Sequence, residues 1–203
     1  YSTASFSANF GQRPFSYTPP AGFKSLHTGN LPDSAIVNGS EYFDILGHSG
    51  TGNVSRSLTG LSFQPDMWWS KDRVGAYDHY LFDSVRGAGT NSLQSNTTQV
   101  EGFAAIHANL TSFDSGGVTI GVSSNATNLL NRSGATYVDW LWKAGGAAVT
   151  NTAGSITSQV SASPTAGFSI VTYTGTGANA TFGHSLGVAP SMVIVKCRST
   201  GPT

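Results

Sequence analysis

The hydrophobic positions of this chain come in short runs of four to seven residues, each bounded by glycine, serine, asparagine or proline. Examples are residues 118–122, Val-Thr-Ile-Gly-Val, and residues 192–196, Met-Val-Ile-Val-Lys. Runs of this length that are rich in β-branched residues are typical of β-strands. Residues 137–142 alternate less cleanly, yet their aromatic and β-branched side chains also favour a half-buried strand.

The best helical candidate is the segment 95–110, in which Val100, Phe103, Ala104 and His107 share a helical face. A glycine and two β-branched threonines within it disfavour a long helix. We therefore expect an all-β chain. Helix should be confined to a short turn or two within 95–110 and stay below about 15% of residues, well under the usual fraction.

The chain repeats itself at a fixed offset of 125 residues. Residues 43–46, Phe-Asp-Ile-Leu, align with 168–171, Phe-Ser-Ile-Val. The ungapped alignment continues through the Gly-Thr-Gly triplets at 50–52 and 175–177, Leu61 and Leu186, Pro65 and Pro190, Met67 and Met192, Lys71 and Lys196, and Arg73 and Arg198. The repeat predicts that 43–73 and 168–198 follow the same path. Met67 and Met192 should be equivalent and buried, and Gly52 and Gly177 should occupy equivalent turns.

The repeat divides the chain into three segments. Residues 34–164 form a first unit with a tail rich in Gly, Ala, Ser and Thr, and residues 165–203 form the truncated start of a second unit. Residues 1–33 match neither copy. Because part of a β-domain cannot bury its own sheet, the terminal segments should complete one another, complete a neighbouring unit, or belong to a longer polypeptide.

Charge and cysteine content exclude several classes of partner and site. Only 10% of residues are charged, and ten basic residues balance ten acidic ones, which argues against a nucleic-acid binder or a polybasic membrane anchor. No apolar run approaches the roughly 18 residues of a membrane span. Cys197 is the single cysteine, which excludes an internal disulfide and a cysteine-based zinc site.

Residues 77–83, Tyr-Asp-His-Tyr-Leu-Phe-Asp, form the densest cluster of polar and aromatic side chains. Rings beside a carboxylate and an imidazole can stack on a sugar ring and bond its hydroxyls, so Tyr77, Asp78 and His79 are the candidate glycan-binding residues. Carboxylates there would also suit Ca²⁺. The alternative is a plain strand with Tyr80 and Phe82 pointing inward, or the reverse, and alternation alone accounts for it.

Two tryptophan pairs allow structural and functional interpretations. The repeat places Val193 and Ile194 at the positions of Trp68 and Trp69, so we expect the latter pair to be buried in a core. Trp140 and Trp142 are two residues apart and share one face of a strand, either a packed face or a ligand surface.

The sequence lacks patterns of catalytic and metal-binding residues. The acidic residues show no spacing that suggests a glycosidase pair, Gly-x-Ser-x-Gly does not occur, and no glycine-rich run carries the Lys-Ser/Thr of a phosphate loop. The five histidines are scattered, and His48 and His184 are expected to be exposed turn residues. We therefore predict no catalytic centre, no metal site and no cofactor, while a polysaccharide depolymerase stays open as an alternative.

The N-terminal segment resembles the end of a known domain type. Residues 9–15, Asn-Phe-Gly-Gln-Arg-Pro-Phe, followed by the stretch 17–26, are similar to the C-terminal end of SPRY domains. These domains are β-sandwiches of the concanavalin A-like type. The resemblance covers only their last strand or so, and implies that a complete sandwich would need a large segment upstream of Tyr1.

The rest of the chain resembles a β-rich module that recurs, often in tandem, in structural proteins of marine tailed bacteriophages. The resemblance is carried by residues 60–66, 79–87, 138–146 and 183–190. It implies a jelly-roll or concanavalin A-like sandwich and a virion component, tail-fibre or receptor-facing, on the tail or outer surface of the particle. It offers no catalytic motif to carry over.

These observations lead to one expected function and two alternatives. The first is a non-enzymatic virion protein whose tandem modules present a weak, multivalent surface to a host glycan. The second is a capsid decoration or fibre-shaft module that binds only other virion proteins, and the third is a depolymerase fragment. Expected partners are other virion proteins and copies of itself in a homo-oligomer, with host glycan added under the first. Nucleic acid and membrane insertion are not expected.

Overall fold

The computed structural model describes residues 7–10, 12–25, 28–30, 34 and 36–199. The chain divides into two compact units, Tyr1–Val37 and Asn38–Thr203. In the described part of the first unit most side chains are exposed. Its local structure consists of a 3₁₀ helix at Thr28–Asn30 and a turn in which the Phe23 N–H donates to the Pro20 carbonyl at 3.0 Å.

The second unit is built from antiparallel β-strands. They are β1 (Phe43–Ser49), β2 (Arg56–Thr59), β3 (Met67–Asp72), β4 (His79–Asp83), β5 (Leu93–Gln94), β6 (Leu110–Asp114), β7 (Gly117–Ile120), β8 (Thr136–Trp142), β9 (Val149–Asn151), β10 (Ser158–Ser163) and β11 (Phe168–Tyr173).

Helix is confined to short pieces in the part of the chain that the structure describes. A second 3₁₀ helix lies at Gly39–Glu41, and no α-helix is present there. Within 95–110, residues 95–96 and 101–107 form turns, in which the Ala105 N–H donates to the Gly102 carbonyl at 2.9 Å. The prediction of an all-β chain is confirmed.

Two of the sheets pack face to face as a β-sandwich. One has five strands in the order β1-β8-β3-β4-β5, and the other has three in the order β2-β7-β6. Because successive strand residues point to opposite faces, each strand gives alternate side chains to the core between the sheets. That core includes Trp68, Phe82, Leu110, Val118 and Leu141, all fully buried. Of the two orientations that the sequence leaves open, Tyr80 and Phe82 take the inward one, since they are 2% and 0% exposed.

A third sheet, in the order β11-β10-β9, follows β8. The Gly145 N–H donates to Ser161 Oγ at 3.0 Å, and the Trp142 ring stacks on Phe168 with centroids 5.9 Å apart. A Cβ on Gly145 would overlap the carbonyl oxygen of Ala162. The backbones therefore approach more closely than a side chain would permit.

The two copies of the repeat agree at their start and diverge at their end. Both 43–48 and 168–173 are strands, and Gly52 and Gly177 both have positive φ, 101° and 74°. Met67 is half-buried in β3, whereas Met192 is 76% exposed and lies in no strand. The expectation of equivalent buried positions is therefore wrong. β3 is flanked by β4 and β8, and no described strand lies beside 192–197. The predicted segment boundaries stay a prediction.

Candidate functional site

The outer side of the five-stranded sheet carries rings that are neither fully buried nor fully exposed. Alternate residues of β1, β3, β4 and β8 point to this side, away from the core. In one row across the sheet, Ile45 pairs with Trp140, Trp140 with Trp69, and Trp69 with Leu81. We call the ring-bearing residues of this side the outer aromatic face: Phe43, Trp69, His79, Trp140 and Trp142.

The rings of the outer aromatic face contact one another along the sheet. Trp69 meets Trp140 edge to face, with centroids 5.8 Å apart at 64°, and meets His79 at 5.9 Å and 63°. Phe43 lies 4.9 Å from Trp142. Edge-to-face and offset contacts are the favoured arrangements of aromatic pairs. The rings therefore brace one another in two groups, Trp69 with Trp140 and His79, and Phe43 with Trp142, whose ring also stacks on Phe168 of the third sheet.

His79 is the polar member of this surface. Its Nδ1 accepts a hydrogen bond from Trp69 Nε1 at 3.1 Å, which places the proton of the neutral ring on Nε2. Burial lowers the pKa of His79 below its ordinary value, the Lys71 ammonium lowers it further, and Asp78 opposes them. Within the described residues Nε2 makes no hydrogen bond, so this N–H is available to a ligand.

The three predicted glycan-binding residues differ in their side-chain contacts. Tyr77 is 38% exposed, and the Arg132 guanidinium lies 4.8 Å from its ring centroid. Both Asp78 oxygens accept hydrogen bonds at 2.9 Å from the amides of Gln94 and Asn96. Only His79 of the three belongs to the outer aromatic face.

The tryptophans divide between the two sides of the sheet. Trp68 is fully buried, as predicted, but the prediction of burial is wrong for its neighbour Trp69, which points to the opposite side and is half-buried. Trp140 and Trp142 share the outer side, as their spacing predicts, and are also half-buried. Alternation in the sequence reveals which tryptophans share a side. It does not reveal that Trp69, from another strand, would stand beside Trp140.

A polar cluster lies on the inner side of the same sheet. His48 Nδ1 is 2.7 Å from Asp139 Oδ2, and Nε2 is 3.2 Å from the Leu130 carbonyl oxygen. Trp68 Nε1 donates to Asp139 Oδ1 at 2.8 Å, and the Tyr137 ring stacks on His48 at 4.5 Å. A neutral imidazole would donate to one of its two acceptors, and a protonated imidazole to both.

The prediction that His48 is an exposed turn residue is wrong. It lies in β1 and is 8% exposed, because its inward position meets a carboxylate 91 residues further along the chain. His184 lies outside the strands and is half-buried rather than exposed, and its Nδ1 accepts a hydrogen bond from the Leu186 N–H at 3.2 Å. Asp139 is fully buried, so we assign the His48 cluster to the stability of the sheet.

Comparison with known proteins adds a family assignment. Residues 38–203 match the family described as Domain of unknown function (DUF7483). The chain belongs to the DUF7483 family. The matched range contains all three sheets and the whole outer aromatic face of this DUF7483 domain. No curated protein and no solved structure matches the chain.

Among the described residues no three His, Cys, Asp or Glu side chains come together as metal ligands. The described residues also contain no helix long and apolar enough to cross a bilayer. The outer aromatic face combines flat apolar rings with an N–H donor, a combination that offers ligand chemistry.

Proposed function

We propose that this protein is a non-enzymatic structural module of a bacteriophage virion, in a tail-fibre or other receptor-facing position. In this role it presents a weak, multivalent binding surface for a host-surface glycan. Two lines support the proposal. The sequence resembles a tandem module of phage structural proteins, and the open side of the five-stranded sheet carries the outer aromatic face. The outer aromatic face is the observation that carries the glycan part of the proposal.

The chemistry of the outer aromatic face suits a sugar ring. The C–H face of a pyranose stacks on an aromatic ring, and its hydroxyls need hydrogen-bonding groups at the edge of that ring. Trp69 and Trp140 supply adjacent rings, and His79 Nε2–H supplies a donor beside them. The Lys71 ammonium, which donates to the carbonyl oxygens of Asp72 and Gly75, has a third N–H.

A flat sheet face of this kind would bind each sugar weakly. It surrounds a ligand on one side only, whereas tight small-molecule sites enclose most of the ligand surface. Repetition of the module around a symmetric particle would raise the effective affinity without new contacts. We therefore expect binding that is measurable with an oligomer and marginal with a single copy.

The experiment compares monomeric protein with protein tetramerised on streptavidin. Binding to immobilised bacterial capsular polysaccharides and lipopolysaccharides is measured by interferometry, and the polysaccharide length is measured afterwards by gel filtration. Trp140→Leu should lower the binding of the tetramer at least about fivefold, since stacking on one ring is worth about 1 kcal/mol or more. Phe103→Leu, which changes an aromatic residue that is 59% exposed in the turns before β6, serves as the matched control.

Three outcomes would contradict parts of the proposal. Absence of tetramer binding would remove the glycan role and leave the decoration or shaft module. Equal losses with Trp140→Leu and Phe103→Leu would remove the outer aromatic face as the site. Shortening of the polysaccharide would replace the non-enzymatic module with a depolymerase.

A further inference from the structure

Asn38 and Gly39 form the only Asn-Gly dipeptide of the chain. They begin the second unit and lie ahead of β1. Because glycine has no side chain, its backbone nitrogen can approach the side-chain amide carbon of the preceding asparagine without the clash that a Cβ would cause. Both residues are exposed, so water reaches the amide. The dipeptide therefore combines an electrophilic carbon, an adjacent nitrogen and solvent.

The turn that follows Asn38 is held in place, but the Gly39 nitrogen is not engaged. Ser62 Oγ donates to the Ser40 carbonyl oxygen at 2.8 Å, which ties the turn to the sandwich. The Tyr42 N–H donates to the Gly39 carbonyl oxygen at 3.0 Å. The Gly39 N–H itself makes no hydrogen bond to any described residue. Its proton is therefore open to removal by a base from solvent.

The side-chain amide of Asn38 is oriented by the residues just beyond Gly39. Its Oδ1 accepts hydrogen bonds from Ser40 Oγ at 2.8 Å and from the Ser40 N–H at 3.2 Å. These bonds bring the side chain alongside the Gly39 amide, which lies between the two bonded residues. Donors placed at a carbonyl oxygen stabilise the negative charge that develops there when a nucleophile attacks the carbon.

We propose that Asn38 is a site of spontaneous deamidation through a cyclic imide. The Gly39 nitrogen loses its proton to hydroxide and forms a bond to Asn38 Cγ, and the negative charge moves to Oδ1, to which Ser40 donates. The Cγ–Nδ2 bond then breaks, and the departing nitrogen takes a proton from water, which regenerates hydroxide, and leaves as ammonia. Water opens the five-membered imide at either carbonyl and gives aspartate or isoaspartate at position 38.

The modification would change the charge and the backbone of this turn. Asn38 Nδ2 now donates to Glu41 Oε1 at 3.4 Å, and in aspartate an oxygen takes the place of that nitrogen, so two carboxylates would face each other and repel. Isoaspartate also adds a methylene to the main chain ahead of β1. This inference goes beyond the proposed function and does not rest on it.

The experiment incubates the full chain at a series of pH values and follows each asparagine by peptide mass spectrometry. Isoaspartate is identified separately by labelling with isoaspartyl methyltransferase. We expect conversion at Asn38 that becomes faster as the pH rises, because the nucleophile is the deprotonated amide. Asn179 is the internal control, since it is also exposed but precedes Ala180, and it should react at least about tenfold more slowly.

Two variants separate the role of the glycine from that of the serine. Gly39→Ala should slow the reaction at Asn38 at least about tenfold. It should keep the thermal midpoint of the unmodified chain, because the added Cβ would meet no atom within 4 Å and the φ of Gly39 is not positive. Ser40→Ala removes the hydroxyl donor to Oδ1 but keeps the N–H donor, and should slow the reaction about twofold or more.

The proposal would be overturned if Asn179 reacted as fast as Asn38, or if Asn38 stayed intact as the pH was raised. A rate in Gly39→Ala equal to that of the unmodified chain would also overturn it, because the imide route depends on the absence of a Cβ at residue 39. A rate in Ser40→Ala equal to that of the unmodified chain would overturn the role of the Ser40 hydroxyl.

Discussion

His48 and His79 lie on opposite sides of the same sheet, and their neighbours give the two imidazoles different chemistry. His48 has an acceptor at each ring nitrogen, a carboxylate and a carbonyl, and is 8% exposed. His79 accepts the indole N–H of Trp69 and keeps its second nitrogen on the open side. The first geometry stabilises a strand pair, and the second supplies a donor to a surface.

Asp139 is expected to be the most sensitive carboxylate of the sheet. Asp139→Ala removes the acceptor of both His48 and Trp68 and leaves their N–H groups buried. Breaking a buried pair of this kind costs about 3 kcal/mol or more in the free energy of unfolding, measured by urea denaturation. Asp44→Ala should change it by less than about 0.5 kcal/mol, because among the described residues this carboxylate accepts only from the adjacent Ile45 N–H. Equal losses of stability in Asp139→Ala and Asp44→Ala would contradict the assignment of the His48 cluster to the stability of the sheet.

His79 should titrate in a way that depends on Lys71. Burial comes first and the Lys71 ammonium second among the causes that lower its pKa. Removing the ammonium by Lys71→Gln should therefore raise the pKa of His79, and Asp78→Asn should lower it, because that carboxylate favours the charged ring. An NMR titration of the imidazole C–H signals measures both. A pKa unchanged in Lys71→Gln would contradict this electrostatic account.

At the scale of elements, alternation predicts strands well and predicts burial less well. The composition of residues 118–122 and 137–142 predicts strands, and β7, which ends at Ile120, and β8 lie there. The side of a strand that becomes covered depends on partners far along the chain, as with Asp139 for His48. For the same reason 192–196 has the composition of a strand yet lies unpaired, since composition does not supply a neighbour.

The close approach of backbones at Gly145 should make this glycine essential to the docking of the third sheet. Gly145→Ala forces a Cβ against the Ala162 carbonyl oxygen, so we expect a loss of about 1–3 kcal/mol in the free energy of unfolding. Gly175→Ala is the control, because its Cβ would meet no atom within 4 Å and its φ is not positive. Calorimetry should show a lower midpoint for the first variant only; equal midpoints would contradict the packing described.

At the scale of the whole molecule, ion pairs join segments that are far apart in the sequence. Arg132 NH2 lies 2.8 Å from Asp72 Oδ2, which links the loop before β8 to the end of β3. Glu101 lies between two arginines, 3.0 Å from Arg86 and 2.7 Å from Arg198. These carboxylates connect the sandwich to its loops and to the segment that carries residues 192–196.

Acid should weaken the fold through these carboxylates. Burial would raise the pKa of Asp72, but hydrogen bonds from Gly75 and Arg132 outweigh it and hold the pKa below 3.8. Burial would also raise the pKa of Glu101. The hydrogen bonds from Arg198 and Arg86 oppose it, and the pKa of Glu101 lies below 4.5. The contribution of these two carboxylates to the free energy of unfolding is complete above their ordinary pKa values. It is lost as the pH falls through their lowered pKa values. The urea midpoint of the unmodified chain should therefore fall on acidification, and that of Asp72→Asn should fall less steeply. Equal falls in the two proteins would contradict this role of Asp72.

The measurement that tests the central claim most directly uses the four tryptophans as reporters. Their indole N–H signals are followed by NMR while a bacterial surface oligosaccharide is added. Ligand on the outer aromatic face should shift the signals of Trp69 and Trp140, and leave that of Trp68, which is fully buried against Asp139, in place. Shifts confined to other residues, or no shift with an oligosaccharide whose polymer the tetramer binds, would contradict the claim.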